Sequence, residues 1–299
     1  MTDPAHDTAP GLYAAYRDWK GWSRLFTVSD DEAGYFQGEF RDLAVRGADL
    51  LEIGFGAGAC LAWAEARGAR VHGTEIDPAL RKAAEARGVA VLPAELSQAA
   101  RDHPGRFDTI VALDVFEHMT PDEIREALAA AARLLRPGGH LLMRFPNAQS
   151  PFGLAPQMGD PTHRSFLSRS AVELLAAGLP VEVVRYGPAY RHAGRRPLVW
   201  LVRQARFALR RAVALALNFA YATRLPYDPV VVLVLRRAAQ PDQPTIAPSA
   251  TFRQAAPSET ASIGPPPSSG TKTMAPAPVA AASGSAESGK LPTRTGPSA

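Results

Sequence analysis

The sequence has only one cysteine, Cys60, in 299 residues. A single thiol excludes an intramolecular disulfide and any zinc site built from several cysteines, and it fits a reducing compartment. The chain also lacks an uncharged apolar run of the roughly 18–20 residues that span a bilayer. Its first residues show no basic start followed by an apolar stretch, so we expect no signal peptide and a cytoplasmic location.

Large apolar residues are scarce in residues 238–299, where Pro, Ala, Ser, Thr and Gly dominate and 11 of the 27 prolines fall. Such a stretch cannot bury enough surface to offset the entropy of an ordered chain. We therefore predict that residues 238–299 form a disordered tail.

Acidic residues are almost absent from residues 185–237, which hold 11 arginines against a single Asp228. By contrast, residues 1–184 carry 18 Lys and Arg against 25 Asp and Glu. The net charge of +4 therefore conceals an acidic region followed by a strongly basic one. The basic excess is local and needs a local explanation.

Short apolar runs alternate with alanine-rich helical stretches from about residue 11 to residue 237. Near-continuously apolar strands separated by helices are typical of a parallel sheet that is covered on both faces. The sequence therefore predicts an α/β fold with a doubly wound, mostly parallel sheet. The predicted strands cover residues 48–54, 69–76, 88–92, 107–115, 140–146, 181–186 and 230–237.

Helix boundaries are marked by capping residues. Thr120 is placed as an N-cap, with Glu123 completing a capping box, and that helix should run to Arg136 before Pro137-Gly138-Gly139. Proline is tolerated in the first turn of a helix, which suits the start at Pro78. The other predicted helices are Cys60–Arg67 and Ser168–Ala177.

Glycines cluster in the segment Glu52–Gly58, EIGFGAG, where the first predicted strand turns into a helix. Glycines permit a tight turn there and let the backbone approach a ligand. Glu75 ends the second predicted strand, where its carboxylate is well placed to accept both hydroxyls of a ribose. The sequence therefore predicts a nucleotide-like ligand at the carboxyl edge of the sheet.

The charges beside this loop help to identify the ligand. The loop has the pattern G-x-G-x-G, whereas a dinucleotide fingerprint is G-x-G-x-x-G. Glu52 beside the loop and Asp114 at the end of the fourth strand would repel a pyrophosphate but suit a ligand that carries an amine and a sulfonium. The alternative is a nicotinamide-dependent dehydrogenase. Measuring whether the protein binds NAD or the sulfonium ligand would distinguish the two.

Four segments in order resemble the successive motifs of class I S-adenosylmethionine-dependent methyltransferases. They are Glu52–Gly58, Glu75, LDVFEHM (113–119) and LLRPGGHLLMRFPN (134–147). The resemblance covers about residues 35–186, with the seventh strand beyond. It implies S-adenosyl-L-methionine as cofactor and a Rossmann-like sheet of seven strands whose last strand lies antiparallel beside the fifth.

The resemblance also implies how the cofactor is held. Glu52 and the backbone of Gly54 and Gly56 would hold its methionine amine, Glu75 would bind the ribose, and Ile76 would pack on the adenine. Glu95 would reach the adenine amino group. The alternative is that Glu95 is an acidic residue favoured by the helix dipole at the start of a helix. Asp114 would lie near the methionine end of the cofactor. The full implied set is Glu52, Gly54, Phe55, Gly56, Gly58, Glu75, Ile76, Glu95, Asp114 and Val115.

His118 and His163 are the candidate catalytic bases. Methyl transfer requires alignment of the reacting groups, exclusion of water and, for a hydroxyl acceptor, removal of a proton, which a histidine can perform near neutral pH. The alternatives are a structural role for His118 and a loop-ordering hydrogen bond for His163. Asp114, Glu117 and the two histidines also resemble a divalent-metal site of quinone-pathway O-methyltransferases, but we expect no metal.

Aromatic residues are frequent before the first strand, and the resemblance implies that this segment forms a lid over cofactor and acceptor. Ordinary packing on the sheet is the alternative for each of them. The predicted domains are a helical lid segment (1–40), a methyltransferase domain (41–237) and the tail (238–299). The aromatic residues are Tyr13, Tyr16, Trp19, Trp22, Phe26, Tyr35, Phe36 and Phe40.

A basic insertion, residues 188–229, separates the sixth and seventh strands, and its central part is apolar and helical in pattern. Arg203, Arg206 and Arg210 are spaced to share one helix face. Arginines opposite apolar residues are typical of a helix that lies on an anionic membrane, which predicts peripheral contact of residues 198–224 with the inner face of the membrane. A homodimer interface and packing on the core are the alternatives, and no nucleic-acid-binding pattern is present.

Together these features predict an S-adenosylmethionine-dependent methyltransferase. The expected acceptor is a hydroxyl of a small molecule, a sugar, a lipid-linked glycan or a quinone-like compound. N-methylation of a small amine and a cofactor-binding scaffold without turnover remain the alternatives. The acceptor itself cannot be deduced from the sequence, because acceptor pockets in this fold are built from variable loops.

Overall fold

The structure is a computed structural model that describes residues 19–22, 24–194 and 196–239. The predicted tail lies outside the described residues from residue 240 onward, and so do Tyr13 and Tyr16 of the predicted lid. Within the described part, strands and helices alternate as the sequence predicts.

Seven strands form one sheet in the order β3-β2-β1-β4-β5-β7-β6. The first five strands pair in parallel, and β7 runs antiparallel to both β5 and β6. The predicted fold and the antiparallel last strand beside the fifth are therefore confirmed. The strands are β1 (Asp49–Ile53), β2 (Arg70–Thr74), β3 (Ala90–Val91), β4 (Phe107–Leu113), β5 (Leu135–Pro146), β6 (Val181–Pro188) and β7 (Val230–Arg237).

Four of the helices begin after a residue whose side chain caps the first turn. Thr120 accepts the backbone N–H of Glu123, whose side chain returns to the N–H of Thr120, so the predicted capping box is confirmed. This helix ends at Leu134 rather than at Arg136, because Leu135 already pairs with Phe107 of β4. The helices are α1 (Asp30–Glu39), α2 (Ala59–Glu65), α3 (Pro78–Ala86), α4 (Leu96–Asp102), α5 (Pro121–Leu134), α6 (Leu154–Met158), α7 (Arg169–Leu175) and α8 (Pro197–Ala220).

The core has two apolar layers, one on each face of the sheet. Adjacent residues of a strand point to opposite faces, so Leu51 packs with the layer that contains α4, α5 and α7, whereas Leu50 packs with the layer that contains α1, α2 and α3. Both leucines are fully buried. This double cover explains why the strands are apolar almost throughout.

None of the helices in the described part of the chain is long and apolar enough to cross a membrane. The longest of them, α8, contains no buried side chain. The alternative that this helix packs into the core is therefore wrong.

The fold makes a direct prediction about stability. Leu128 of α5 is buried against the sheet, so Leu128→Ala should leave a cavity and lower the free energy of unfolding by about 2–5 kcal/mol. The matched control is Leu174→Ala on α7, where the side chain is 73% exposed, and its effect should stay within about 0.5 kcal/mol. Urea titration followed by circular dichroism measures both, and equal effects would contradict the two-layer core.

Candidate active site

The candidate site lies where the carboxyl ends of β1, β2 and β4 meet. In the sheet order, β2 lies on one side of β1 and β4 on the other. The chain therefore leaves β1 toward one half of the sheet and returns in the other half, which opens a crevice beyond the strand ends. The loop 54–58, Glu75 and Asp114 follow these three strands directly, so the topology brings the predicted site residues to one edge.

The glycine loop needs its glycines for two reasons. Gly56 and Gly58 have φ angles of +51° and +74°, in the left-handed region that residues with a side chain rarely adopt. In addition, a Cβ atom on Gly56 would lie 2.9 Å from the ring of Trp22, and one on Gly58 would overlap the ring of Phe26. The loop is therefore both tightly turned and covered closely by aromatic rings.

Glu75 binds the loop to the end of β2. Its Oε2 accepts the backbone N–H of Gly56 at 2.9 Å, and its Oε1 accepts the N–H groups of Ile76 at 2.7 Å and Asp77 at 3.0 Å. A carboxylate offers about four acceptor positions. Three of these positions are therefore in use within the protein, so Glu75 fixes the loop as well as offering an acceptor to a ligand hydroxyl.

Glu52 lies at the end of β1 with 3% of its surface exposed. Burial raises the pKa of its carboxyl group to about 8, against the partly opposing backbone N–H of Leu61. Its Oε2 finds no hydrogen-bond partner among the described residues. A buried polar atom without a partner is uncommon in native structures, and this one fits a ligand that brings its own donor, such as an amine.

Asp114 is held differently from the prediction. Arg144 of β5 binds its carboxylate with both Nε, at 2.9 Å from Oδ1, and Nη2, at 2.5 Å from Oδ2. The guanidinium group also lies 5.3 Å from the centre of the Tyr35 ring, and burial raises the pKa of Tyr35 to about 12. The charge of Asp114 is therefore largely balanced, and the crevice is less negative than the sequence suggests.

The sequence analysis missed Arg144, although a signal was present. Arg144 is the only charged residue in the apolar run HLLMRFP, 140–146. A charged side chain in a strand that is covered on both faces requires a partner. The φ angle of +57° at Asp114 turns the chain at the end of β4, beside the strand that carries Arg144.

Glu117, His118 and His163 come together at this edge. One ligand-type atom from each lies within 4.8 Å of the others, and the two imidazole rings are 4.7 Å apart, edge to face. Glu117 is buried, its two carboxyl oxygens have no hydrogen-bond partner in the described part of the chain, and burial with the nearby Asp114 charge raises its pKa to about 8. Three of the four residues in the set that resembles a metal site therefore lie close to one another. The fourth, Asp114, is paired with Arg144 instead.

Both histidines are oriented by the loop after β5. The Thr162 hydroxyl donates to Asp160 at 2.5 Å and lies 2.9 Å from Nδ1 of His118, while Nδ1 of His163 lies 2.9 Å from the carbonyl oxygen of Gln157. Burial and the neighbouring His163 hold the pKa of His118 below its ordinary 6.5. The His118 imidazole is consequently neutral at neutral pH.

The other predicted contact residues have mixed positions. Phe55 is buried and packs on Gly73, so its side chain belongs to the core and only its backbone reaches the site. Val115 lies against Gly54. Ile76 is 57% exposed beside Glu75, whereas Glu95 is the exposed N-cap of α4 and contacts the Ser97 hydroxyl.

The aromatic residues before β1 divide into two groups. Trp22 and Phe26 lie against the glycine loop, and the N–H of Phe26 donates to the carbonyl oxygen of Ala57 at 2.7 Å. Phe36 and Phe40 are instead buried against Trp63, with ring centres 5.6 and 4.9 Å apart. For that second pair, the alternative of ordinary packing is confirmed.

The buried Glu52 carboxyl predicts a pH-dependent stability. In the unfolded chain this group loses its proton near pH 4.5, but the folded protein retains it until about pH 8. The stability it contributes is therefore present below pH 4.5 and is lost as the pH rises to 8. Replacing it by Glu52→Gln should make the protein more stable than wild type by roughly 1 kcal/mol for each pH unit within that window.

Chemical unfolding of the protein without added ligand at several pH values measures this difference. The matched control is Glu182→Gln at an exposed glutamate that pairs with Arg236, and it should show no such growth with pH. If the Glu52→Gln and wild-type stabilities change in parallel, the carboxyl is ionised in the folded protein.

Comparison with known proteins gives a consistent family. Residues 51–141 match the model of a methyltransferase domain. An uncharacterised methyltransferase of Geobacillus kaustophilus is 30% identical over 136 residues, which is 44% of this chain and 57% of the relative. A ubiquinone biosynthesis O-methyltransferase of Xanthomonas euvesicatoria is 33% identical over 107 residues, 34% of this chain and 44% of the relative. The chain thus spans about half the length of the curated relatives that it matches.

A solved structure supports the fold. A crystal structure of an S-adenosylmethionine-dependent methyltransferase from Archaeoglobus fulgidus covers 75% of this chain and 99% of its own, with a TM-score of 0.53 and 15% identity. At that identity the likeness concerns the fold alone. With the matching domain model, it shows a methyltransferase domain within residues 51–141 and a fold like that of S-adenosylmethionine-dependent methyltransferases. The motif order and the cradle of Glu52, the glycine loop and Glu75 agree with S-adenosyl-L-methionine as the cofactor.

Proposed function

We propose that this protein transfers a methyl group from S-adenosylmethionine to a hydroxyl group of a small molecule. The observation that carries the proposal is the position of a partly buried histidine, His118, whose pKa lies below 6.5, at the same sheet edge as the unpartnered oxygen of Glu52. The first group suits removal of a hydroxyl proton, and the second suits an amine of the cofactor. An acceptor without a proton to lose would need no such base.

The residues of the crevice fit the cofactor. Glu52 would accept a hydrogen bond from the amine of its methionine part, and the backbone of Gly54 and Gly56 would help to hold that group. Glu75 takes a ribose hydroxyl at its remaining acceptor position. The exposed side chain of Ile76 is a surface that an adenine would cover, since it already lies next to Glu75. When bound, the cofactor supplies a methyl group that is activated by a positively charged sulfur.

Water is excluded by the segment before α1. Trp22 and Phe26 cover the glycine loop, and Lys20 reaches across to Asp160, with Nζ 3.4 Å from Oδ2. This ion pair connects the aromatic segment to the loop that orients the histidines. A closed, apolar cover strengthens the electrostatic contacts beneath it and protects the reaction from water.

Proton removal is assigned to His118. The Thr162 hydroxyl donates its one proton to Asp160, so it accepts a hydrogen bond from Nδ1 of His118. These two consecutive hydrogen bonds fix the orientation of the imidazole ring. His163 packs edge-on against that ring and is held by the Gln157 carbonyl oxygen. We assign to His163 the positioning of His118.

A quinone-like phenol is the acceptor that we favour. Several curated relatives, including those of Xanthomonas euvesicatoria and Aromatoleum aromaticum, are ubiquinone biosynthesis O-methyltransferases. Phenolic hydroxyls lose a proton more readily than the alcohols of a sugar, which suits a histidine base. Sugar and lipid-linked glycan hydroxyls are the other acceptors of this class, and amine acceptors would favour N-methylation instead.

Cofactor binding tests the assigned cradle. Glu75→Ala removes the acceptor for both a ribose hydroxyl and the Gly56 N–H, so the Kd for S-adenosylhomocysteine should rise at least about tenfold. Isothermal titration calorimetry measures this Kd, with Glu182→Ala as the exposed matched control. Wild-type protein should bind S-adenosylhomocysteine and not NAD. Unchanged affinity in Glu75→Ala would refute the ribose assignment.

Catalysis tests the base. His118→Ala should lower kcat for methylation of a catechol by about 10²–10⁴-fold and leave the Kd for S-adenosylhomocysteine unchanged. His103→Ala is the matched control, because His103 precedes β4 at the opposite edge of the sheet. For wild type, kcat should fall only below pH 6.5, since the pKa of His118 is lowered from that value.

The choice of probe separates the acceptor classes. Aniline carries an amine in place of the phenolic hydroxyl, so methyl transfer to aniline but not to catechol would contradict O-methylation. A His118→Ala variant with wild-type kcat on catechol would contradict the role of this residue as base.

A further inference from the structure

Helix α8 presents an unusually apolar outer face. None of its 24 residues is buried, and Phe219 and Leu209 are 91% and 65% exposed. With 100° between successive residues, the outward half of the helix after Pro197 contains only Leu, Val, Phe and Ala side chains. We call this the α8 outer face: Leu198, Leu201, Val202, Ala205, Ala208, Leu209, Ala212, Val213, Leu215, Ala216, Phe219 and Ala220. A continuous exposed apolar surface of this kind marks an interaction site.

The opposite side of α8 is attached to the domain by polar contacts. Arg203 binds Asp31 of α1 with Nη1 and Nη2, at 2.8 and 2.7 Å from the two carboxylate oxygens. Nδ2 of Asn218 donates to the carbonyl oxygen of Leu225 at 3.0 Å. Arg203, which the sequence places on one helix face with Arg206 and Arg210, is thus paired with Asp31 of α1. These contacts hold the apolar half of the helix toward solvent.

Arginines border the α8 outer face. Arg206 and Arg210 follow one border of the face and Arg211 follows the other, and all three side chains are exposed. Residues 197–220 contain no Asp or Glu. A helix with an apolar face between basic borders lies in the plane of a bilayer, where its apolar side chains enter the acyl boundary and its arginines meet anionic headgroups.

We propose that the α8 outer face docks this protein on a bilayer surface that contains anionic lipid. Charge complementarity favours this occupant over a second copy of the chain. If two copies paired through this face, they would bring six arginines to one seam, and α8 carries no carboxylate to balance them. A bilayer with negative headgroups balances the same charges at every border.

Docking would also place the site near the membrane. Asp31, which binds Arg203, lies one turn of α1 from Tyr35, which contacts Arg144 in the candidate active site. Helix α8 is thus joined through α1 to the crevice. The docking proposal itself does not depend on the reaction, because its readout is binding to vesicles.

Vesicle binding of the full chain tests the proposal. Wild-type protein should cosediment with phosphatidylcholine vesicles that contain phosphatidylglycerol and much less with pure phosphatidylcholine vesicles. The double variant Leu209→Asp/Phe219→Asp should lose at least tenfold in binding. The matched control Leu174→Asp changes an equally exposed leucine on α7 and should bind like wild type.

A second variant isolates the charge. Arg206→Gln/Arg210→Gln/Arg211→Gln leaves the apolar face intact and should lower binding to the anionic vesicles at least tenfold, while binding to neutral vesicles stays unchanged. Retained affinity for S-adenosylhomocysteine shows that each variant is folded, so failure of docking and failure of the proposed function are separate results.

Three results would overturn the proposal. Wild-type protein that fails to bind anionic vesicles has its α8 outer face covered by another part of the chain. An equal loss in Leu174→Asp shows that the effect is not specific to α8. A wild-type dimer that Leu209→Asp/Phe219→Asp converts to monomer, measured by light scattering, assigns the face to a second copy.

Discussion

The hydrogen bond from the Gly56 N–H to the Glu75 carboxylate joins the ends of two neighbouring strands. Strands β1 and β2 pair in parallel, so their carboxyl ends lie side by side. The bond fixes the loop that leaves β1 against the residue that ends β2. The aromatic rings of Trp22 and Phe26 then have a rigid surface to cover. Most of the candidate site is arranged around this contact.

Buried carboxyl groups give the crevice its electrostatic character. Burial raises the pKa of both Glu52 and Glu117 to about 8, so near neutral pH the folded protein holds these groups largely in their protonated form. Asp114 is paired with the guanidinium group of Arg144. The crevice thus combines two buried carboxyl groups of raised pKa with one balanced ion pair. A cationic ligand would supply Glu52 with the partner that the chain itself does not provide.

The methyl-transfer proposal and the docking proposal concern two different surfaces that α1 joins. Helix α1 contributes Asp31 to α8 and Tyr35 to the neighbourhood of Arg144. Its Phe36 and Phe40 pack against Trp63 of α2, behind the glycine loop. Side chains from one short helix therefore stabilise the crevice, the core behind it and the attachment of the basic insertion.

The sequence by itself determined the alternation of strands and helices, the capping box of α5 and the position of the glycine loop, because these depend on patterns that are local in the chain. It also placed Glu52 and Glu75 near the carboxyl ends of β1 and β2 and His118 in the segment that follows β4, since the apolar runs of the strands are visible in the sequence. Tertiary structure alone decided that Asp114 is balanced by Arg144, 30 residues away, and that Thr162 orients His118 across 44 residues. It also decided that Arg203 faces α1 while the apolar half of α8 faces solvent. Periodicity shows which residues share a face of a helix or strand, but which face meets which neighbour depends on contacts between segments that are distant in sequence.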